Sequence, residues 1–205
     1  MHQPPEIILA SRSPRRQQML TMLGLPFSVV AADIDESAHK DELPEKYVAR
    51  LAGEKALAVA KKLSATGSKR GEEFGDCVQP VLAADTAVAL GGTIFGKPEN
   101  RADAFRIWSI LSDTTHYVYS GVALLVNGDL QVRVGVTQVV YAAMDERDMT
   151  GYWASGEPQD KAGAYGVQGL GSAFVKEVHG SYSNVVGLPL YELRELLKAN
   201  EWDWI

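Results

Sequence analysis

Between Pro80 and Gly91 the chain reads Val81-Leu82-Ala83-Ala84-Asp85-Thr86-Ala87-Val88-Ala89-Leu90, ten residues with a single charge. A run this short and this apolar reads as a buried strand. Such a strand needs other layers to cover it, and that excludes an exposed hairpin or a loop. Asp85 interrupts the run with no turn signal beside it. An unpaired carboxylate is costly to bury, so Asp85 must be paired, bound to a metal or placed at an opening in the core. A charged group held at such an opening is a candidate for chemistry. The structural alternative is an Asp satisfied by backbone donors or by an arginine.

The segments around this strand alternate in type. Residues 5–10 read as a strand, followed by a helix from Pro14 to Leu23 that Gly24 ends. Phe27 to Ala32 reads as a second strand and Pro44 to Leu63 as a long helix. Residues 64–80 are polar and Gly-rich, and they read as a flexible surface loop. After the Val81–Leu90 strand, Gly91-Gly92 reads as a hairpin turn returning through Thr93-Ile94-Phe95. A helix is expected over 99–112. Strands are expected over Tyr117–Val126 and Leu130–Ala143, joined through Asn127-Gly128. A helix from Asp145 to Ala154, a Gly-rich loop over 160–171, a strand over 172–178, a turn and a helix from Pro189 complete the pattern. The expected class is α/β: a mixed sheet flanked by helices, in one domain over residues 1–205.

Composition removes several functions. The 205 residues suffice for a core without staples. One cysteine, Cys77, cannot form an internal disulfide, which fits a reducing compartment. The N-terminus lacks a basic start and a long apolar stretch, and no run approaches the roughly 18 apolar residues of a membrane span. The expectation is a cytoplasmic protein with no membrane partner. A net charge of −6 argues against general nucleic-acid binding but leaves room for a small basic pocket. His2, His39, His116 and His179 have no metal-ligand spacing. Gly-x-Ser-x-Gly and Cys-x-x-Cys are absent.

Ser13-Pro14-Arg15-Arg16 opens a helix with two cations at its positive end, a mildly unfavourable placement on the order of 0.3–1 kcal/mol each. A bound polyphosphate would reverse that sign, because helix N–H groups and guanidiniums both grip phosphate. Surface carboxylates would serve as well. Asp33-Ile34-Asp35-Glu36 offers oxygen ligands for a hard cation, or is a solvated loop. Lys55 interrupts the inward stripe Val48, Leu51, Ala52, Val59. It either snorkels to water or reaches a polar pocket. Gly91 to Lys97 matches a phosphate-binding P-loop until Pro98, which has neither hydroxyl nor N–H, so that reading fails. Lys97 stays of interest because the hairpin returns it toward Asp85. Four glycines over 163–171 permit close approach of backbone to a ligand, and Gln168 offers a donor and an acceptor for a base.

Taken together, Leu9-Ala-Ser-Arg-Ser-Pro-Arg-Arg16, Asp35-Glu36, Arg50-Leu-Ala-x-Glu-Lys55, Ala84-Asp-Thr86, Gly96-Lys-Pro98, Asp160-Lys-Ala-Gly-Ala-Tyr-Gly-Val-Gln-Gly169 and Val186-Gly-Leu-Pro-Leu190 resemble the Maf family of nucleoside triphosphate pyrophosphatases. The likeness spans nearly the whole chain. It implies a fold like that of the inosine triphosphate pyrophosphatases (Maf/Ham), usually as a homodimer. It implies hydrolysis of a nucleotide to the monophosphate and pyrophosphate with a divalent metal, Mg²⁺ or Mn²⁺. By that resemblance Asp85 is the proton acceptor, Lys55 and Lys97 are catalytic, and Ser11, Ser13 and Arg16 bind substrate. Glu36 and Asp85 would hold the metal. Arg15, Thr86 and Gln168 match the positions of the subgroup acting on dTTP and UTP. The rival reading is a non-catalytic nucleotide-binding regulator of septum formation.

Overall fold

Strand and helix alternate through the first part of the chain, and hairpins take over in the middle. In the computed structural model, which describes residues 3–66 and 79–203, β1 (Ile7–Leu9) leads into α1 (Pro14–Met22), β2 (Phe27–Val29) and α2 (Pro44–Thr66). The apolar run is β3 (Val81–Leu90), which turns at Gly91-Gly92 into β4 (Thr93–Phe95). Next come α3 (Arg101–Leu111), the long hairpin β5 (Thr115–Val126) and β6 (Asp129–Tyr141), and α4 (Glu146–Ala154). Three 3₁₀ turns cover Glu157–Asp160, Ala162–Ala164 and Leu170–Phe174. The chain then forms β7 (Val175–His179), α5 (Tyr182–Val186) and α6 (Leu190–Ala199).

The strands make one mixed sheet in the order β2-β1-β3-β5-β6-β7, with β4 on the free end of β3. β1 is parallel to both neighbours, and the other pairs are antiparallel. Parallel pairs need crossovers, and α1 and α2 supply them. They lie on opposite faces, as period-two alternation in β3 shows. Leu82 and Ala84 pack with Met19 and Leu20 of α1. Val81 and Ala83 pack with Ala52, Ala56 and Val59 of α2. By the same alternation Asp85 faces α2 and Thr86 faces α1. A third cluster, rich in aromatics, gathers Trp108, Tyr141, Tyr152 and Tyr165 around α3 and α4.

Several expectations need correction. β2 stops at Val29 rather than Ala32, because its ladder partner β1 ends at Leu9. α2 runs to Thr66, so residues 64–66 are helical; the rest of the expected loop, 67–78, lies outside the described residues. Residues 172–174 form a 3₁₀ turn rather than strand, since their ladder partner β6 ends at Tyr141, opposite Val175, rather than at Ala143. The turn before the last helix contains α5, capped by the Ser181 side chain and ended by Gly187 at φ 118°.

One glycine controls the spacing of layers. Gly121 pairs with Asp85 across the β3–β5 ladder, and a Cβ there would lie 2.3 Å from the carbonyl oxygen of Val48 in α2. Gly121→Ala is expected to push α2 off the sheet and destabilise the protein by about 1–3 kcal/mol or more, as overpacking does. Thermal unfolding read by circular dichroism checks this.

Candidate active site

β3 is paired along one edge with β5 from Val81 to Ala89. Its other edge meets β1 only at Val81 and Leu82, and β4 only from Val88. Between these partners the edge carrying Asp85 and Thr86 is left open. The opening lies beyond the carboxyl end of β1, where crossovers depart to opposite faces, the usual place for a ligand crevice in such a sheet. A cleft of about 840 Å³ occupies it. The site residues that the family resemblance implies all line it: Ser11, Ser13, Arg15, Arg16, Glu36 and Lys55, together with Asp85, Thr86, Lys97 and Gln168.

Asp85 and Lys55 are both buried, at 7% and 8% exposure, and Lys55 Nζ donates to Asp85 Oδ1 at 2.6 Å. The same ammonium lies 2.6 Å from Glu36 Oε1. Lys55 therefore turns into the pocket and does not snorkel. Burial pushes the Asp85 carboxyl above its usual range, against the pull of Lys55 and Arg16. Burial also acts on Glu36, but Lys55, with Lys97 and Arg16 farther off, outweighs it and holds that carboxyl below the usual range. Asp33 does not line the cleft, and Asp35 instead accepts from the Ser37 backbone and hydroxyl. Of the acidic loop, Glu36 is the residue that reaches the site.

The paired arginines have different surroundings. Arg16 donates to the Gly187 carbonyl at 2.8 Å, Ser11 Oγ at 3.1 Å and Thr86 Oγ1 at 3.3 Å. That uses three of its five N–H groups and leaves two for a ligand. Burial draws its guanidinium down from its usual value, and Asp85 opposes this. Arg15 Nη1 stands 3.9 Å from Asp160, which also bonds Lys161. Ser13 occupies the N-cap position, yet its side chain makes no capping bond. Ser11 Oγ instead accepts from the Ser13 backbone N–H at 3.2 Å. The first turn of α1 thus keeps free N–H groups beside the cleft.

Supporting residues escaped the sequence reading. Arg50 forms a fork with Glu42, Nε and Nη2 each at 2.7 Å, and also donates to the Ser37 carbonyl. Tyr47 OH donates to the Glu36 carbonyl at 2.9 Å. These α2 side chains hold the loop that delivers Glu36. Burial, with the charges of Asp85 and Glu36, pushes the Tyr47 phenol up to about 12. On the other face, fully buried Ser120 lies 2.8 Å from Thr86 Oγ1 and donates to the Asn184 carbonyl. Arg50 stands in a quoted motif; Ser120 carried no sequence signal.

Two carboxylates converge here, and among the described residues no group of three His, Cys, Asp or Glu side chains does. Two protein carboxylates completed by phosphate oxygens and water form the donor set that Mg²⁺ or Mn²⁺ accepts. The residues present therefore fit a divalent cation that arrives with a phosphorylated ligand.

A family model described as "Maf-like protein" matches residues 6–200, and the chain belongs to the Maf family. It is similar to proteins named dTTP/UTP pyrophosphatase. One from Hahella chejuensis is 47% identical over 94% of this chain and 90% of its own length. One from Shewanella sp. (strain MR-7) is 47% identical over 93% and 96%. One from Colwellia psychrerythraea is 43% identical over 94% and 87%. Among solved structures, the Staphylococcus aureus Ham1 protein shares the fold, with a TM-score of 0.50 at 14% identity, over 96% of this chain and 98% of that one. Among the described residues no helix is long and apolar enough to cross a membrane.

Two tests follow from this geometry. Removing one partner of a buried ion pair strands the other, so Lys55→Met is expected to destabilise the protein by about 3 kcal/mol, and adding Asp85→Asn to recover part of that loss. Urea unfolding of the four proteins of the cycle measures the coupling. The Arg50 fork holds the Glu42 carboxyl near 2, against an ordinary 4.5. A depressed carboxyl stabilises the fold above its unfolded value and ceases to do so as pH falls through the folded one. The melting temperature should therefore drop as pH goes from about 4.5 toward about 2. It should drop less in Glu42→Gln.

Proposed function

We propose that this protein hydrolyses dTTP and UTP to the monophosphate and pyrophosphate. The observation that carries the reading is the convergence of Lys55 and Arg16 on Asp85 at an opening in the sheet, with Lys97 lining the same cleft and acting on Glu36. The names of its relatives support the nucleotide class. A nucleoside triphosphate brings roughly four negative charges, so positioning and neutralisation do most of the catalytic work.

Arg15, Arg16 and the open turn of α1 bind the phosphate chain. Arg16 is pre-aimed, because Gly187, Ser11 and Thr86 already fix its plane. Water attacks the α-phosphorus and pyrophosphate leaves. Lys55 and Lys97 neutralise the charge that grows on the leaving group. Asp85 bonds Lys55 through Oδ1, and Oδ2, which has no protein partner among the described residues, takes the proton from water. A carboxylate whose burial raises its proton affinity is a better base than an exposed one. Glu36 and Asp85 would hold a divalent cation, which when bound supplies further charge neutralisation at the phosphate oxygens. Gln168 lines the same cleft and would meet the base, while Thr86 and Arg15 are the other two positions that the family resemblance ties to dTTP and UTP. A regulator that only bound nucleotide would not need a base buried beside its own lysine. A homodimer belongs to this reading on the family resemblance, and cytoplasmic residence on the sequence composition.

Asp85→Asn keeps the size of the side chain and removes the base. Turnover of dTTP should fall by about 10²–10⁴, with nucleotide affinity largely retained. Chromatography of the wild-type reaction should give dTMP and pyrophosphate. Wild-type turnover by the Asn variant, or dTDP and orthophosphate as products, would overturn the proposal.

A further inference from the structure

The glycines over 163–171 suggested close approach to a ligand, but all four approach side chains of the protein instead, Gly163 that of Val88 and the other three those of Glu157 and Tyr152. A Cβ on Gly169 would lie 2.1 Å from Glu157 Oε2, and one on Gly166 3.2 Å from Glu157 Oε1. A Cβ on Gly171 would lie 2.3 Å from the Tyr152 hydroxyl. Backbone N–H groups explain the crowding. Leu170 N–H donates to Glu157 Oε2 at 2.7 Å, and Gly171 N–H to Oε1 at 3.0 Å. Tyr152 OH donates to the same Oε1 at 2.8 Å and accepts from Gly166 N–H at 3.0 Å. Both ends of the 166–171 segment are thus tied to one Tyr–Glu pair. Tyr152 is itself buried, its ring packed at a tilt against those of Trp108 and Phe174, with centroids 5.4 and 5.7 Å away.

Gln168 sits between the tied ends, exposed and lining the cleft. Its amide can pair with the O4 and N3–H edge of a pyrimidine, but an exposed side chain on a short segment inherits its position from the backbone. Glu157 also lines the cleft, yet both of its oxygens are engaged by the segment. Its carboxylate is thus committed to holding the segment.

We propose that Glu157, seated on Tyr152, is a positioning residue for base selection: it buckles the 166–171 segment so that Gln168 meets the pyrimidine edge. This rests on the nucleotide reading above. Glu157→Gln replaces one acceptor by a donor, so one backbone N–H loses its partner.

The test measures pyrophosphate release from dTTP, UTP, dATP and GTP by wild type, Glu157→Gln and Tyr152→Phe, with amide hydrogen exchange of the free proteins. In Glu157→Gln the KM for dTTP and UTP should rise about tenfold while purine values move less than about twofold, so selectivity narrows. Turnover at saturation should fall far less than in Asp85→Asn. Exchange at Gly166, Leu170 and Gly171 should quicken, with β5 and α6 unchanged. Tyr152→Phe, which keeps the ring packing, should act in the same direction and carries the test if Glu157→Gln fails to fold. An equal loss for pyrimidines and purines, or unaltered selectivity in an active variant, would overturn the buckle alone. A wild-type protein that released no pyrophosphate from any nucleotide would overturn the nucleotide reading, and this proposal with it.

Discussion

The Lys55 ammonium, held between Asp85 and Glu36 at 2.6 Å from each, is the contact on which the site depends. It joins a helix, the long central strand and a loop, three segments far apart in the chain. Without it Asp85 would face α2 as an uncompensated charge, which a packed interior does not tolerate. The two carboxyls respond differently because their burial differs. Asp85, inside the sheet, is raised despite its partner; Glu36, half in solvent, is lowered by the same ammonium. One cation thus leaves one acid with raised proton affinity and the other held ionised, a division suited to acid–base work beside a polyanion.

This contact is possible because the sheet is incomplete beside it. β3 outlasts β1, and β4 meets it again only from Val88, so a short open edge exposes Asp85 and Thr86 on opposite faces. α2 approaches from one side with Lys55, and α1 from the other with Arg16. Gly121, level with Asp85, lets α2 lie close enough for the lysine to reach. The shared fold with Ham1 and the match to the Maf family agree with this architecture. Residues that hold others in place surround it: Arg50 and Tyr47 behind Glu36, Ser120 behind Thr86, Glu157 and Tyr152 behind Gln168.

Most of what was legible in the sequence was legible as contradiction. Asp85 stood out as a charge in an apolar run, Lys55 as a charge on an apolar stripe, and Arg15-Arg16 as cations at a positive helix end. Each local rule was broken where a site lies. The strands and helices that obeyed their periodicity were also readable, except where a partner decided the end, as at β2, β7 and α5. Glu157 broke no rule. An acid after Gly156 and before Pro158 looks like an ordinary turn residue, and its three hydrogen bonds come from segments that only the folded chain brings near it.

The amino-acid order alone determined which segments would be strand or helix, which residues were out of place in them, and the kind of ligand that would reconcile those residues. Those properties follow from periodicity, charge and propensity, which are local. Only the tertiary structure decided that the two arginines part company, that Lys55 serves two acids, and that Gly166 and Gly169 crowd a carboxylate of the protein rather than a phosphate. These depend on distances between residues separated by tens of positions, set by strand order, layer spacing and the open edge of one strand, and no local pattern encodes them.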